Sequence, residues 1–78
     1  MSLREFEREV VSVSLETLVV DAARRMRDAR VGCVVVSRAG HPVGILTDRD
    51  IAVRVVAEGR DPQQTTVSEV ATYEAVTL

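Results

Sequence analysis

Apolar and polar positions alternate along this chain in blocks whose period changes, and each change marks an element. Val10, Val11 and Val13 form a short β-branched run that predicts a first strand. Ser14 to Thr17 is polar and turn-like. From Leu18 to Arg30 the apolar residues fall at Leu18, Ala22, Met26 and Ala29, with Val19 and Ala23 beside them. That spacing is one face of a helix. Thr17 is the expected N-cap, and Asp21 lies in the first turn, where the helix dipole favours an acid. Arg24, Arg25, Arg27 and Arg30 are expected on the solvated side or near the C-terminal end.

Val31 to Val36 is a continuous apolar run, the pattern of a strand buried on both faces. Arg38 to Pro42 reads as a turn with Gly40 supplying conformational freedom, and Val43 to Thr47 as the next strand. So short a connection predicts an antiparallel pair. Ile51 to Glu58 is a second helix, stopped by Gly59 and followed by Pro62. Residues 60–66 are polar and read as a linker. Residues 66–71 predict a helical turn, 75–78 another strand, and 3–8 a short charged helical arm.

The order β-α-β-β-α predicts an α+β fold: a three-stranded sheet with two helices on one face. An internal repeat supports it. Residues 8–13 (Arg-Glu-Val-Val-Ser-Val) align with residues 73–78 (Tyr-Glu-Ala-Val-Thr-Leu), so the sequence reads as one full repeat plus the first strand of a second.

Composition narrows the function. The chain has 78 residues, 46% of them hydrophobic, enough for one folded domain of marginal stability alone. The net charge of -2 and an aromatic content of 3% point to neither nucleic acid nor an anionic membrane. The apolar stretch 31–36 is too short to span a bilayer, and the N-terminus lacks an apolar signal region. The single cysteine, Cys33, excludes an intrachain disulfide and suits a reducing cytoplasm. One Cys and one His make no zinc pattern. No nucleophile–base pair or paired general acids stand out, so an enzyme is not expected.

Four segments in order carry a family resemblance: Val11-Ser12-Val13, Leu18 to Met26, Arg30 to Val36, and Gly44-Ile45-Leu46-Thr47-Asp48-Arg49-Asp50-Ile51. Together they resemble the cystathionine-β-synthase-type (CBS) domain, as the first repeat of a small tandem-CBS protein. On that resemblance residues 1–60 are a CBS repeat, 61–72 a linker and 73–78 the first strand of a truncated second repeat. The resemblance implies a regulatory, Bateman-type module. Two repeats pair around a pseudo-twofold axis, and the cleft between them holds a nucleotide. The partner repeat is then expected from another chain, as in a homodimer, and the ligand is AMP, ADP, ATP or another adenosine derivative. The resemblance implies ligand contacts at Thr47, Asp50, Arg49, Val13, Val31, Gly32 and Cys33.

The residues themselves leave two readings of 47–50 open. A strand ends at Thr47 and a helix begins, so backbone N–H groups offer an anion site, the Thr47 hydroxyl a phosphate donor and the Asp50 carboxylate a ribose acceptor. Equally, Thr47-x-x-Asp50 is a capping box that only closes the helix. Asp48 and Asp50 oppose a phosphate, Arg49 alone offsets them, and Gly32 and Cys33 bring no basic group, which disfavours a triphosphate. Cys33 is expected as buried packing and His41 as a solvated turn residue. A dimerising interaction module without a small ligand is the competing function.

Overall fold

The computed structural model describes residues 10–73. The helical arm expected at 3–8 and the strand expected at 75–78 lie outside them. The elements run β1 (Ser12–Ser14), α1 (Val19–Ala29), β2 (Cys33–Arg38), β3 (His41–Thr47), α2 (Asp48–Ile51) and α3 (Val67–Val70), with a π-helical turn over Ala52–Val56 extending α2. The sheet has the order β1-β2-β3, with β1 parallel to β2 and β2 antiparallel to β3. The α+β fold and its β-α-β-β-α order are therefore those the sequence predicts.

α1 is the crossover between the parallel strands. It buries Val19, Ala22 and Met26 and leaves Arg24, Arg25, Arg27 and Arg30 in solvent. Thr17 is not its N-cap. Leu18 holds that position, with no side-chain cap, and the Thr17 hydroxyl instead accepts the Ser14 N–H at 3.1 Å. Backbone carbonyls from much later in the chain close the helix: Val19 N–H donates to Thr65 O at 2.9 Å and Val20 N–H to Pro62 O at 3.0 Å. The same two segments meet in the other direction. Val67 N–H donates to Thr17 O and Ser68 N–H to Leu15 O, so the 14–18 turn caps α3 while the 61–66 run caps α1. The run expected as a linker is thus fixed, with Thr65 buried and Val67, Val70 and Ala71 part of the core.

β2 departs from the expectation of burial on both faces. Val34 and Val36 point into the core with Val13 and Leu46, while Cys33 is exposed and Val35 half-buried on the opposite face. Among the described residues the helices cover one side of the sheet only, so the other side of this β-branched run carries Cys33 outside the core. The hairpin turns at Ala39-Gly40, both at positive φ (50° and 82°), the conformation that matches the twist of tightly joined strands.

At the end of the second helix Gly59 (φ 71°) reverses the chain. Gly59 N–H bonds Val56 O and Arg60 N–H bonds Val55 O, the Schellman closure expected of glycine there. After α3 the chain returns to the free edge of β3, where Thr72 and Ile45 exchange both backbone hydrogen bonds at 2.8 and 2.9 Å. Gly44 permits this approach. A Cβ at Gly44 would lie 2.7 Å from the Thr72 carbonyl oxygen and 3.0 Å from the Tyr73 ring.

Candidate functional site

The residues singled out in the sequence meet at one end of the sheet. Cys33, the first residue of β2, pairs with Thr47, the last of β3. The following Asp48 N–H donates to Gly32 O at 2.9 Å, which brings the Val31-Gly32-Cys33 stretch against the start of α2. The Asp48 carboxylate lies close over Gly32, 3.2 Å from where a Cβ there would stand, so a larger residue at 32 would have to displace it. Val31, Gly32, Cys33, Asp48 and Arg49 are all exposed. Arg49 makes no salt bridge among the described residues. Val13 stands apart: it is 4% exposed, in register with Val36, inside the core.

Thr47 and Asp50 form the capping box. The Thr47 hydroxyl oxygen accepts the Asp50 N–H at 3.0 Å, and the Asp50 carboxylate accepts the Thr47 N–H at 3.0 Å. With Asp48 N–H committed to Gly32, the amide of Arg49 is the open donor of the first turn among the described residues. The anion site at this helix start is therefore mostly self-satisfied. The Thr47 hydroxyl proton is still available, because the cap uses only its oxygen as an acceptor. Capping and phosphate donation are compatible at this residue.

Asp50 is more deeply committed. It is 8% exposed, and the Thr72 hydroxyl donates across both its oxygens at 3.1 and 3.3 Å. The Arg54 guanidinium stands 3.8 Å from the same carboxylate and also donates to the carbonyls of Val70 and Ala71. These contacts compensate the burial of a carboxylate. Neither Thr72 nor Arg54 was anticipated as part of this group. Arg54 follows Asp50 by one helical turn, so the spacing carried a signal. Thr72 is 22 residues away from Asp50 and carried none.

Beside this group a shallow groove of about 350 Å³ runs between α1 and α2, lined by Ala23, Met26, Arg27, Val31, Asp48 and Ile51. A larger depression of about 640 Å³ lies beyond Val31, between α1 and the β1 edge, lined in part by Arg25, Asp28 and Arg30, and there Arg25 donates to Ser12 O at 2.8 Å. Both open to solvent. Among the described residues no cluster of His, Cys, Asp and Glu is arranged to hold a metal ion.

The model of the CBS domain family matches residues 3–57. The chain belongs to that family. The CBS domain-containing protein YhcV of Bacillus subtilis (strain 168) is 46% identical over 68 residues, covering 87% of this chain and 48% of that protein. Among solved structures, a CBS-domain-containing protein of Agrobacterium tumefaciens superposes with a TM-score of 0.78 at 33% identity, covering 91% of this chain and 58% of the other. The hexameric CBS-CP12 protein of bloom-forming cyanobacteria gives 0.79 at 30% identity, covering 88% and 39%. The chain spans about half the length of the B. subtilis relative. CBS domain proteins are regulatory modules, typically not catalytic, and their solved structures include oligomers such as the cyanobacterial hexamer. No helix among the described residues is long and apolar enough to cross a membrane.

Proposed function

We propose that this CBS domain is a ligand-sensing module that takes an adenosine-containing nucleotide into a cleft completed by a second CBS repeat. The observation that carries the reading is the convergence of Thr47, Arg49 and Asp50 with the exposed Val31-Gly32-Cys33 stretch at one end of the sheet. Each group has a chemical task there. The free proton of the Thr47 hydroxyl and the Arg49 amide suit a phosphate oxygen, and the Arg49 side chain adds positive charge. The Asp50 carboxylate suits ribose hydroxyls once its internal donors are exchanged. Val31 and the apolar groove beside it suit the face of a base.

Asp48 sets the charge preference. Its carboxylate stands in solvent beside the same helix start and repels each phosphate that approaches. The arrangement therefore favours AMP or an uncharged adenosine derivative over ATP, and Asp48→Ala should tighten AMP while leaving adenosine unchanged.

A second reading is supported by the engagement of Asp50 inside the chain: an interaction module that pairs through its open faces and binds nothing small. Calorimetric titration of AMP and adenosine into the parent, Thr47→Ser, Thr47→Val and Asp48→Ala separates the two. The nucleotide reading expects Thr47→Ser to bind as the parent does. It expects Thr47→Val to lose more affinity for AMP than for adenosine, beyond the ~1 kcal/mol of stability lost with the cap. Heat-silent titrations and unshifted melting temperatures for both ligands in all four proteins would leave the interaction module standing instead.

A further inference from the structure

The Asp50 carboxylate lies at the junction of two structures, the start of α2 and the segment Thr72-Tyr73 that follows α3. Its oxygens are nearly enclosed by the groups around them. Asp50 Oδ2 takes the Thr47 N–H, both oxygens share the Thr72 hydroxyl, and Arg54 stands 3.8 Å from Oδ1. Its side chain keeps only 10% of its surface open. A ligand hydroxyl reaches those oxygens only by taking the place of a donor already there. Thr47 N–H is fixed by the cap, and Arg54 is tethered to two backbone carbonyls. The Thr72 hydroxyl, on an exposed residue outside any helix, is the donor that can leave.

Thr72 does not act alone. Its backbone is bridged to Ile45 on the β3 edge, its carbonyl lies against Gly44, and the next residue, Tyr73, donates its hydroxyl to Ser68 O at 2.8 Å. Anything that removes Thr72 from Asp50 weakens one of the described contacts holding this short segment to the domain. Building on the nucleotide reading above, we propose that Thr72 is a latch. The Thr72 hydroxyl and the bound nucleotide compete for the Asp50 carboxylate, so occupation of the site and docking of the Thr72-Tyr73 segment on β3 oppose one another. The effect is reciprocal, as any coupling of two equilibria must be: undocking the segment raises nucleotide affinity, and nucleotide loosens the segment.

The test uses AMP as the probe on the full chain. Thr72→Val removes the hydroxyl but keeps shape and backbone, and should bind AMP at least about fivefold more tightly than the parent, the lower end of usual allosteric couplings. Thr72→Ser keeps the hydroxyl and should match the parent. Gly44→Ala pushes on the Thr72 carbonyl without touching Asp50 and should tighten AMP in the same direction. In the parent, saturating AMP should speed amide exchange at Thr72, whose N–H bonds Ile45 O. This exchange measurement stands even if a variant folds poorly. AMP binding to parent and Thr72→Val with equal affinity, together with unchanged exchange at Thr72, overturns the latch and leaves the nucleotide site intact. Absence of AMP binding to every protein, Thr72→Val included, overturns both.

Discussion

At the residue scale, polar side chains here serve two purposes at once, and only one of them was legible in the sequence. Thr47-x-x-Asp50 announced a cap by its spacing, and the cap is present. The same logic repeats at Thr66 and Glu69, where the Glu69 carboxylate accepts the Thr66 N–H at 3.0 Å and pairs with Arg60. The Thr66 backbone N–H, then its hydroxyl, hold the Glu69 carboxyl below the usual carboxylate range, with Arg60 adding to the effect. A depressed folded value stabilises the protein above the pKa of an unfolded glutamate, about 4.3. That contribution disappears as pH falls through the lower folded value. Glu69→Gln should therefore be less stable than the parent at about pH 6, with the difference closing by about pH 3. Denaturant melts at the two values measure it, and a difference that stays constant with pH would contradict the assignment. What the sequence did not reveal at this scale is partnership across distance. The contacts of Thr72 with Asp50 and of Arg54 with the Val70 and Ala71 carbonyls depend on how the chain returns, which local pattern does not encode.

At the element scale, periodicity was informative about existence and poor about surroundings. The α1 stripe, the hairpin and the Gly59 stop are all where the pattern put them. The Val31–Val36 run was misread as doubly buried because β-branched residues look alike on covered and open faces; the alternation in burial along β2 follows only from the helices lying on one side. The second helix begins at Asp48, before its apolar rows start at Ile51, because the capping box and not hydrophobicity sets its first residue. Its later turn widens to π geometry, with Ala57 N–H bonding Ala52 O, a local irregularity that has no marker in the sequence. The hairpin offers a measurable correction. Ala39 sits at φ 50°, where an ordinary side chain is strained and asparagine is tolerated. Ala39→Asn should raise the unfolding free energy by roughly 0.5–1 kcal/mol, the size of turn-compatible backbone substitutions. A variant less stable than the parent would show that the turn is held by contacts the backbone angles do not reveal.

At the scale of the whole molecule, one side of the sheet and part of the second helix are left uncovered by the described residues. Ile45 is 38% exposed beside Val35, and Val53 and Val56 are 46% and 70% exposed on the helix. Scattered apolar residues are ordinary on a surface, but here they lie on the outer sides of elements whose inner sides already fill the core. A domain of this size gains most by covering them with a like surface, which a twofold axis supplies. The chain should sediment as a dimer or larger at high micromolar concentration, and Val56→Asp should shift the distribution toward monomer if the helical face takes part. A parent that stays monomeric throughout that range would remove self-pairing from the account.

The exchange of caps between the 14–18 turn and the 61–66 run bears on how the protein is made. The first two amides of α1 wait for acceptors that stand more than forty residues downstream, so on a ribosome the crossover helix emerges long before the carbonyls that close it. The matched family region stops at residue 57, short of Thr65, Val67 and Val70. A nascent chain of that length already carries all three described strands, yet it lacks the closure of α1 and a share of the core. Closure of α1 and completion of the core thus wait for residues 62–71, which are made after all three described strands.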